Sequence, residues 1–403
     1  MHRLMVCMII PLSAVNAADT KPVPLFDGKS LKGWQQCNGS ATYRVEDKTI
    51  VGTTAEGSPN SFLCTDKEYG DFILEFETKT DPALNSGVQI RSHRYPAETT
   101  VRTFDGKQTR EHKQPAGRLY GYQVEISNEE SGTSGGIYDE ARRGWLDNTS
   151  SKPACKAAFK DNQWNRYRIE ARANVIRTWV NGAECANLVD PADLSGYIAL
   201  QVHSYRGDKP AQVRWRNIRL TDLGRHVWRP LWDGKTLKGW LNTGGGKWTI
   251  EDGAIHGQSV AGDERMGFLM TEESFKDVTA RVRFKIPKGN SGFFVRIDPG
   301  TRAGYEIEID AHKRTGGLWE VRGRNWVTGP EDNANVRTDG WNEITGFFQG
   351  HRIVFHLNGV KTIDFPNDTQ GRLEGRIGIQ AHGSKMPTDV WFKDIAVLEP
   401  ERK

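Results

Sequence analysis

Apolar and polar residues alternate along short blocks of this chain, at the period of two that puts successive side chains on opposite faces of a strand. "FILEFET" (Phe72 to Thr78), "RYRIEARANVIRTWVNG" (Arg166 to Gly182), "ARVRFKI" (Ala280 to Ile286) and "GHRIVFHLNGV" (Gly350 to Val360) are examples. Gly, Asn, Asp and Pro separate the blocks, and the Asn-Gly pairs at Asn181 and Asn358 mark tight hairpin turns. Stretches with helical period are nearly absent. The pattern predicts an all-β protein built of two-sheet sandwiches with about a dozen short strands each.

The blocks come in two sets. "LFDGKSLKGW" (Leu25 to Trp34) recurs as "LWDGKTLKGW" (Leu231 to Trp240), changed only at Phe26/Trp232 and Ser30/Thr236. In the same order, "NSGVQIRS" (Asn85 to Ser92) matches "NSGFFVRI" (Asn290 to Ile297), and "YQVEIS" (Tyr122 to Ser127) matches "YEIEID" (Tyr305 to Asp310). "GGIYDEARRGWL" (Gly135 to Leu146) matches "GGLWEVRGRNWV" (Gly316 to Val327), and "IALQVHS" (Ile198 to Ser204) matches "IGIQAHG" (Ile377 to Gly383). Self-similarity at a domain-sized period is one folding unit written twice. We therefore expect a first β-sandwich domain over 18–224 and a second over 225–403. Only the first half carries the polar insert "HRYPAETTVRTFDGKQTREHKQPAGRL" (His93 to Leu119), a long surface loop of the kind that serves as a lid or as a plain excursion.

Strand parity sorts the repeated blocks into a core face and an open face. Val124 and Ile126 share the face of Tyr122, which leaves Gln123, Glu125 and Ser127 on the other; Gln201 and His203 stand opposite Ile198, Leu200 and Val202. The same rule puts Arg91 beside Gln89 on the polar face, and Arg296, Glu306, Glu308, Asp310, Gln380 and His382 on that face in the second half. Polar residues on an open strand face are usually only solvated. Repetition of the full set marks Arg91, Glu125 and His203 as candidate catalytic residues, because Arg, carboxylate and imidazole on one face can polarise an oxygen and move a proton. Gln89, Gln123, Tyr138, Asp139, Arg142, Trp145 and Gln201 are the candidate substrate-binding residues. Trp145 and its counterpart Trp326 lie among charged residues, placed to stack on a sugar ring, whereas Trp34, Trp240, Trp164 and Trp341 read as packing residues.

The 403 residues, with 55 basic and 51 acidic side chains spread along the chain, form no basic stripe for a nucleic-acid partner. No stretch reaches the roughly 18 apolar residues that span a bilayer. There is no phosphate loop, dinucleotide glycine fingerprint, H-E-x-x-H or G-x-S-x-G, which disfavours nucleotide cofactors and serine hydrolase chemistry. The opening "MHRLMVCMIIPLSAVNAADT" has the order of a secretory signal peptide over 1–17, and predicts a periplasmic or secreted protein. Removing it leaves Cys37, Cys64, Cys155 and Cys185, for which three pairings are open. We pair Cys37 with Cys64 and Cys155 with Cys185, each bracketing a neighbouring pair of predicted strands.

Taken together, "LFDGKSLKGW", "NSGVQIRS", "YQVEI", "GGIYDEARRGWL", "QWNRYRIEARANVIRTWVNG" and "IALQVHS" resemble the 3-keto-disaccharide hydrolase domain family, whose members have a concanavalin A-like β-sandwich. The resemblance covers nearly the whole mature chain as two tandem copies, the first the closer match. It implies two jelly-roll domains and an extracytoplasmic enzyme acting on glycosides oxidised to a ketone at carbon 3, with a carbohydrate as partner. That ketone acidifies the hydrogen on carbon 2: a base removes it, the substituent on carbon 1 leaves, and water addition completes a net hydrolysis. Glu125 or His203 would be the base, and Arg91 or a divalent metal would hold the enolate oxygen, although the sequence shows no diagnostic ligand spacing for a metal. Two other readings are a laminarinase-like glycosidase, suggested by the acidic strand Glu306, Glu308 and Asp310, and a non-catalytic lectin-like module of the same fold.

Overall fold

The computed structural model describes residues 21–82, 84–104, 109–127, 133–259, 262, 264–383 and 387–402; the expected signal segment, 1–17, lies outside them. The fold is all-β, 59% strand and 2% helix, and consists of two tandem jelly-roll sandwiches. The chain divides into two compact units, one running to Leu188 and taking up again over Ser195–Arg225, the other Val189–Leu194 with His226 onward. No helix among the described residues is long and apolar enough to cross a membrane.

In the first unit a seven-stranded front sheet runs in the order Gly144–Asp147, Ile137–Glu140, Leu119–Ile126, Ser86–Arg94, Gly196–Val202, Ser61–Tyr69, Trp34–Asn38. Behind it, Asp71–Thr80 and Gln212–Gly224 lie at the middle of an eight-stranded back sheet. The pairings within the front sheet are antiparallel. One set of alternate side chains fills the space between the sheets: Val88, Ile90, Tyr122, Val124, Ile126, Ile198, Leu200 and Val202 from the front meet Phe72, Leu74, Phe76, Tyr167, Ile169 and Trp215 from the back. The second unit repeats the plan, with Gly267–Phe275, Gly375–Ala381, Asn290–Ile297 and Gly304–Asp310 in its front sheet and its own buried core.

The duplicated decapeptide closes each sandwich by the same local device. Asp27 Oδ1 accepts the Lys29 and Ser30 amides, while Trp34 buries its ring and donates Nε1–H to the Leu25 carbonyl at 3.0 Å. Asp233 does the same for Lys235 and Thr236, and Trp240 for the Leu231 carbonyl at 3.0 Å. An Asx turn and a tethered indole fix the loop that enters the front sheet, so this motif belongs to folding.

Both expected disulfides are present, Cys37–Cys64 and Cys155–Cys185, with Cα separations of 6.0 and 5.1 Å. Cys37 and Cys64 lie on the neighbouring strands Trp34–Asn38 and Ser61–Tyr69. Cys155 sits on the short helix Pro153–Ala158 and bridges to strand Ala183–Val189 at the edge of the back sheet, rather than from strand to strand. The insert of the first half forms a hairpin of its own, Thr99–Phe104 with Thr109–Gln114.

Candidate functional site

The outer face of the first front sheet is a lattice of cross-strand neighbours. One row reads Trp145, Tyr138, Gln123, Gln89, Ala199 and Cys64, and the next reads Glu125, Gly87, Gln201 and Phe62. Cys64, Phe62 and Ala199 are roofed by Leu119 at the root of the insert, which forms a small apolar cluster over that half of the sheet. The other half opens into a cleft of about 390 Å³, lined by Asn60, Asn85, Gln123, Glu125, Thr133, Tyr138, Glu140, Ala141, Trp145 and His203.

Glu125 stands at the end of a directed chain of hydrogen bonds. Ser92 Oγ donates to Gln89 Oε1 (2.6 Å), Gln89 Nε2 to Gln123 Oε1 (2.9 Å), and Gln123 Nε2 to Glu125 Oε2 (2.9 Å), while Asn85 Nδ2 donates to Glu125 Oε1 (2.5 Å). Both carboxylate oxygens therefore accept, the arrangement that suits the ionised form. Gly87 makes the chain geometrically possible. A Cβ there would lie 2.6 Å from Gln123 Cδ, so the bare strand backbone is the floor on which the Gln123 carboxamide rests.

Opposite Glu125 the cleft is aromatic and hydroxylic. Trp145, 41% exposed, packs edge-on against Tyr138 at 5.3 Å between ring centroids. Burial, helped by the carboxylates of Glu140, Glu125 and Asp139, pushes the Tyr138 phenol up, so at neutral pH it is a hydrogen-bond donor. His203 places Nδ1 2.7 Å from the Ser204 carbonyl; a carbonyl only accepts, so Nδ1 carries a proton and Nε2 is left for the cleft. Glu140 is committed elsewhere, accepting from Arg118 and, at 3.0 Å, from Asn60. Gln201 is fully buried in the row beside Gly87, and neither its Oε1 nor its Nε2 has a partner.

Arg91 does not join this face. Between Gln89 and Ser92 the pairing with Gly196–Val202 shifts register, and Arg91 takes φ +46°, so the bulge turns its side chain away from the open face. The buried guanidinium donates to the Gly70 carbonyl (2.8 Å), the Ala173 carbonyl (2.6 Å) and Asp71 (2.9 Å), tying the front sheet to the rim of the back one. Arg296 repeats this at φ +58°, donating to the carbonyls of Lys276, Gly350 and Arg372. Asp139 and Arg142 are corrected likewise. Asp139 pairs across from Tyr122 on the core side of the strand, where Arg142 and Arg143 hold it, and neither it nor Arg142 lines the cleft. Glu125, His203, Gln123, Tyr138 and Trp145 do come together, with Gln89 and Gln201 in the rows behind them.

Sequence reasoning missed Asn85, Asn60 and Glu140. Asn85 had a signal, since it opens the repeated "NSG" block and its counterpart Asn290 also holds a carboxylate, Glu308. Asn60 lies in a loop that no internal match marks, and Glu140, at the end of strand Ile137–Glu140, faces Val321 in the matched block, so repetition did not single it out. Among the described residues no group of three or more His, Cys, Asp or Glu gathers to hold a metal ion, and no step is assigned to one.

Solved structures resemble single halves of the chain. A candidate glycosyl hydrolase from Parabacteroides distasonis is 20% identical over 43% of this chain and 94% of its own (TM-score 0.33). The carbohydrate-binding module CBM66 of Bacillus subtilis is 18% identical over 40% and 96% (TM-score 0.34), and a Bacillus subtilis protein of unknown function with a galectin-like fold is 18% identical over 41% and 92% (TM-score 0.32). No curated protein sequence matches. The model of the 3-keto-alpha-glucoside-1,2-lyase-like domain matches residues 21–221 and again 227–398, and the chain belongs to that family, in two copies.

Proposed function

We propose that this carbohydrate-active protein is an exported enzyme that cleaves 3-keto-glycosides in the cleft of its first domain, with Glu125 as the base that takes the proton from carbon 2. The observation that carries the reading is the hydrogen-bond chain ending on Glu125. It fixes an accepting carboxylate in a cleft whose other walls offer a phenol, an imidazole and an indole.

The balance of the step is simple. Glu125 takes the hydrogen of carbon 2 as a proton, and the electron pair forms the carbon 1–carbon 2 double bond. The substituent on carbon 1 leaves with its bonding pair and takes up a proton to become the free alcohol. Tyr138 is the donor available for the departing oxygen, part of the role that Arg91 cannot fill from its buried position, while His203, its proton held on Nδ1, offers Nε2 to the cleft as a second acceptor. Trp145 is the platform for the sugar face. A glycosidase acting on ordinary glycosides needs a protonated acid beside its second carboxylate. Glu140, the other carboxylate lining this cleft, is instead engaged by Arg118 and Asn60, which favours the keto-sugar reading. The two disulfides support export.

Incubation of the purified chain with 3-keto-trehalose and with trehalose tests the proposal. The keto-sugar should release its aglycone and trehalose should not, and Glu125→Gln should lower turnover about 10²- to 10⁴-fold. Comparable cleavage of the unoxidised sugar, or full turnover by a folded Glu125→Gln variant, would overturn it.

A further inference from the structure

The residues that lead to Glu125 are missing from the second copy, and they are missing together. At the lattice positions of Ser92, Gln89 and Gln123 it carries Ile297, Phe294 and Glu306. Ile297 and Phe294 join Phe268 and Met270 in a small apolar cluster, and Glu308, in the place of Glu125, keeps only its asparagine donor, Asn290. Burial there raises Glu308 to about 7. The fold is thus content with apolar side chains at two of the three positions. Burying a hydroxyl and two carboxamides instead is costly unless their hydrogen bonds are made, so the serine and the glutamines point to a task tied to Glu125. Ser92 and Gln89 are fully buried and neither lines the cleft, so they act on a substrate only through that carboxylate.

The direction of the chain is dictated by its end. An ionised carboxylate only accepts, so Gln123 must turn Nε2 to Glu125 and Oε1 to Gln89. Gln89 must then turn Nε2 to Gln123 and Oε1 to Ser92, whose hydroxyl closes the chain as donor. Ser92 Oγ also stands 3.2 Å from the Ile90 carbonyl, and its single proton can serve only one of the two oxygens. That second acceptor permits the opposite direction. With a proton on Glu125 Oε2, the carboxyl donates to Gln123. If both carboxamides turn over about their last torsion, nitrogen and oxygen exchange places: Gln123 donates to Gln89, Gln89 donates to Ser92 Oγ, and Ser92 donates to the Ile90 carbonyl. The spacings of 2.9, 2.9 and 2.6 Å serve either direction. Each amide carries its own hydrogens as it turns, so no proton passes between residues of the chain. Gly121 leaves room beside the hydroxyl, since a Cβ there would lie 2.9 Å from Ser92 Oγ.

We propose that Ser92 is a positioning residue that lets this chain run in either direction, so that Glu125 Oε2 stays paired both before and after it takes the proton from carbon 2. The inference deepens the function proposed above and rests on it. A one-way donor stabilises the carboxylate and so weakens it as a base, whereas a chain that reverses holds the carboxylate in place and leaves its affinity for the proton intact. The titratable groups facing Glu125 among the described residues are Tyr138, His203 and the Arg118-bound Glu140 in the cleft, with the Tyr167 phenol behind the strand.

The test uses the full chain with carbon-13 in its glutamate carboxyls, following the signal that Glu125→Gln removes as pH is varied without substrate. Ser92→Ala leaves an amide oxygen unpaired when Glu125 is ionised, and an amide N–H unpaired when it is protonated. In an interior the orphaned N–H is the less tolerated of the two, so the titration midpoint of Glu125 should fall, by about half a unit to one unit. With 3-keto-trehalose, kcat should fall about three- to tenfold and KM should hold, because Ser92 lies outside the cleft. Gln89→Leu breaks the same chain one link nearer and should shift the midpoint the same way, which carries the test if Ser92→Ala does not fold. A midpoint that rises in a folded variant would show a chain that donates in one direction only, and an unmoved midpoint would show that Ser92 merely packs; either overturns the inference. Absence of turnover in the wild type as well would sink the function proposed above, while the midpoint, read without substrate, still decides whether the chain reverses.

Discussion

Replacing Glu308 by Gln should stabilise the second domain, and only above a certain pH. In the fold Glu308 is raised from its ordinary 4.5 to about 7, chiefly by burial and then by Asp310, against the lowering effect of the Asn290 hydrogen bond. Below about pH 4.5 the carboxyl is protonated folded and unfolded alike, and it costs nothing. Between 4.5 and 7 the folded chain keeps a proton that the unfolded chain has lost, so stability falls as pH rises through that window. Above 7 the loss is complete. At about 1.4 kcal/mol per unit the ceiling is about 3 kcal/mol, and sharing of the proton with Glu306 brings the expected gain nearer 1 to 2 kcal/mol. Glutamine keeps the oxygen that accepts from Asn290 and discards the charge. At about 2 to 4 °C per kcal/mol for a domain of this size, the variant should melt several degrees above wild type at pH 8 and together with it at pH 4. Calorimetry across pH 4 to 8.5, reading the transition that moves, checks this. Melting curves that stay parallel across the window would show that Glu308 is ionised in the fold throughout, and the argument from its burial would fail.

Three other substitutions separate folding from chemistry. Asp71→Ala removes the carboxylate from the buried Arg91 guanidinium and should cost about 3 to 5 kcal/mol, read as a lower melting temperature of the first domain. Gly87→Ala places a Cβ 2.6 Å from Gln123 Cδ; it should displace the amide that holds Glu125 and lower turnover about tenfold or more, with the circular dichroism spectrum unchanged. Trp145→Ala should raise KM about tenfold by removing the stacking platform, with a smaller fall in kcat because the ring also packs on the proposed donor Tyr138; an unchanged KM would contradict the stacking role.

The alternation of residues was enough to place the strands, and the reason is physical: each strand has one face in a dry core and the other outside it, so its side chains must alternate. The same rule located Glu125, Gln123 and His203, since their strands run regularly from core residue to cleft residue. It failed at Arg91 because "QIRS" reads as a regular strand while the chain inserts a bulge there, with the register shift between Gln89 and Ser92 and φ +46° at Arg91. One extra residue reverses parity, and nothing in the local composition announces it. For Asp139 the parity was legible, since Tyr138 and Glu140 share the face opposite to it. Its charge drew it into the candidate site, although charge is also what a buried clasp for Arg142 and Arg143 requires.

Repetition between the halves carries two meanings, and the structure separates them. What is identical in both copies is mostly scaffold: the Asx turn and tethered indole of the decapeptide, the buried arginine of the bulge, the glycine floor at Gly87 and Gly292. A duplicated fold must keep these, whatever each copy does. The chemistry is written where the copies differ at the same lattice point. Gln123 against Glu306 exchanges an amide that donates to its neighbouring carboxylate for a carboxyl that contends with it, and Tyr138 against Trp319 exchanges a phenol for an indole. Those two exchanges leave the sheet, the floor and the asparagine clamp in place. One scaffold therefore presents a lone accepting carboxylate in its first copy and a proton-holding pair in its second, and a substitution of either residue for its counterpart moves the site from one chemistry toward the other without asking the fold to change.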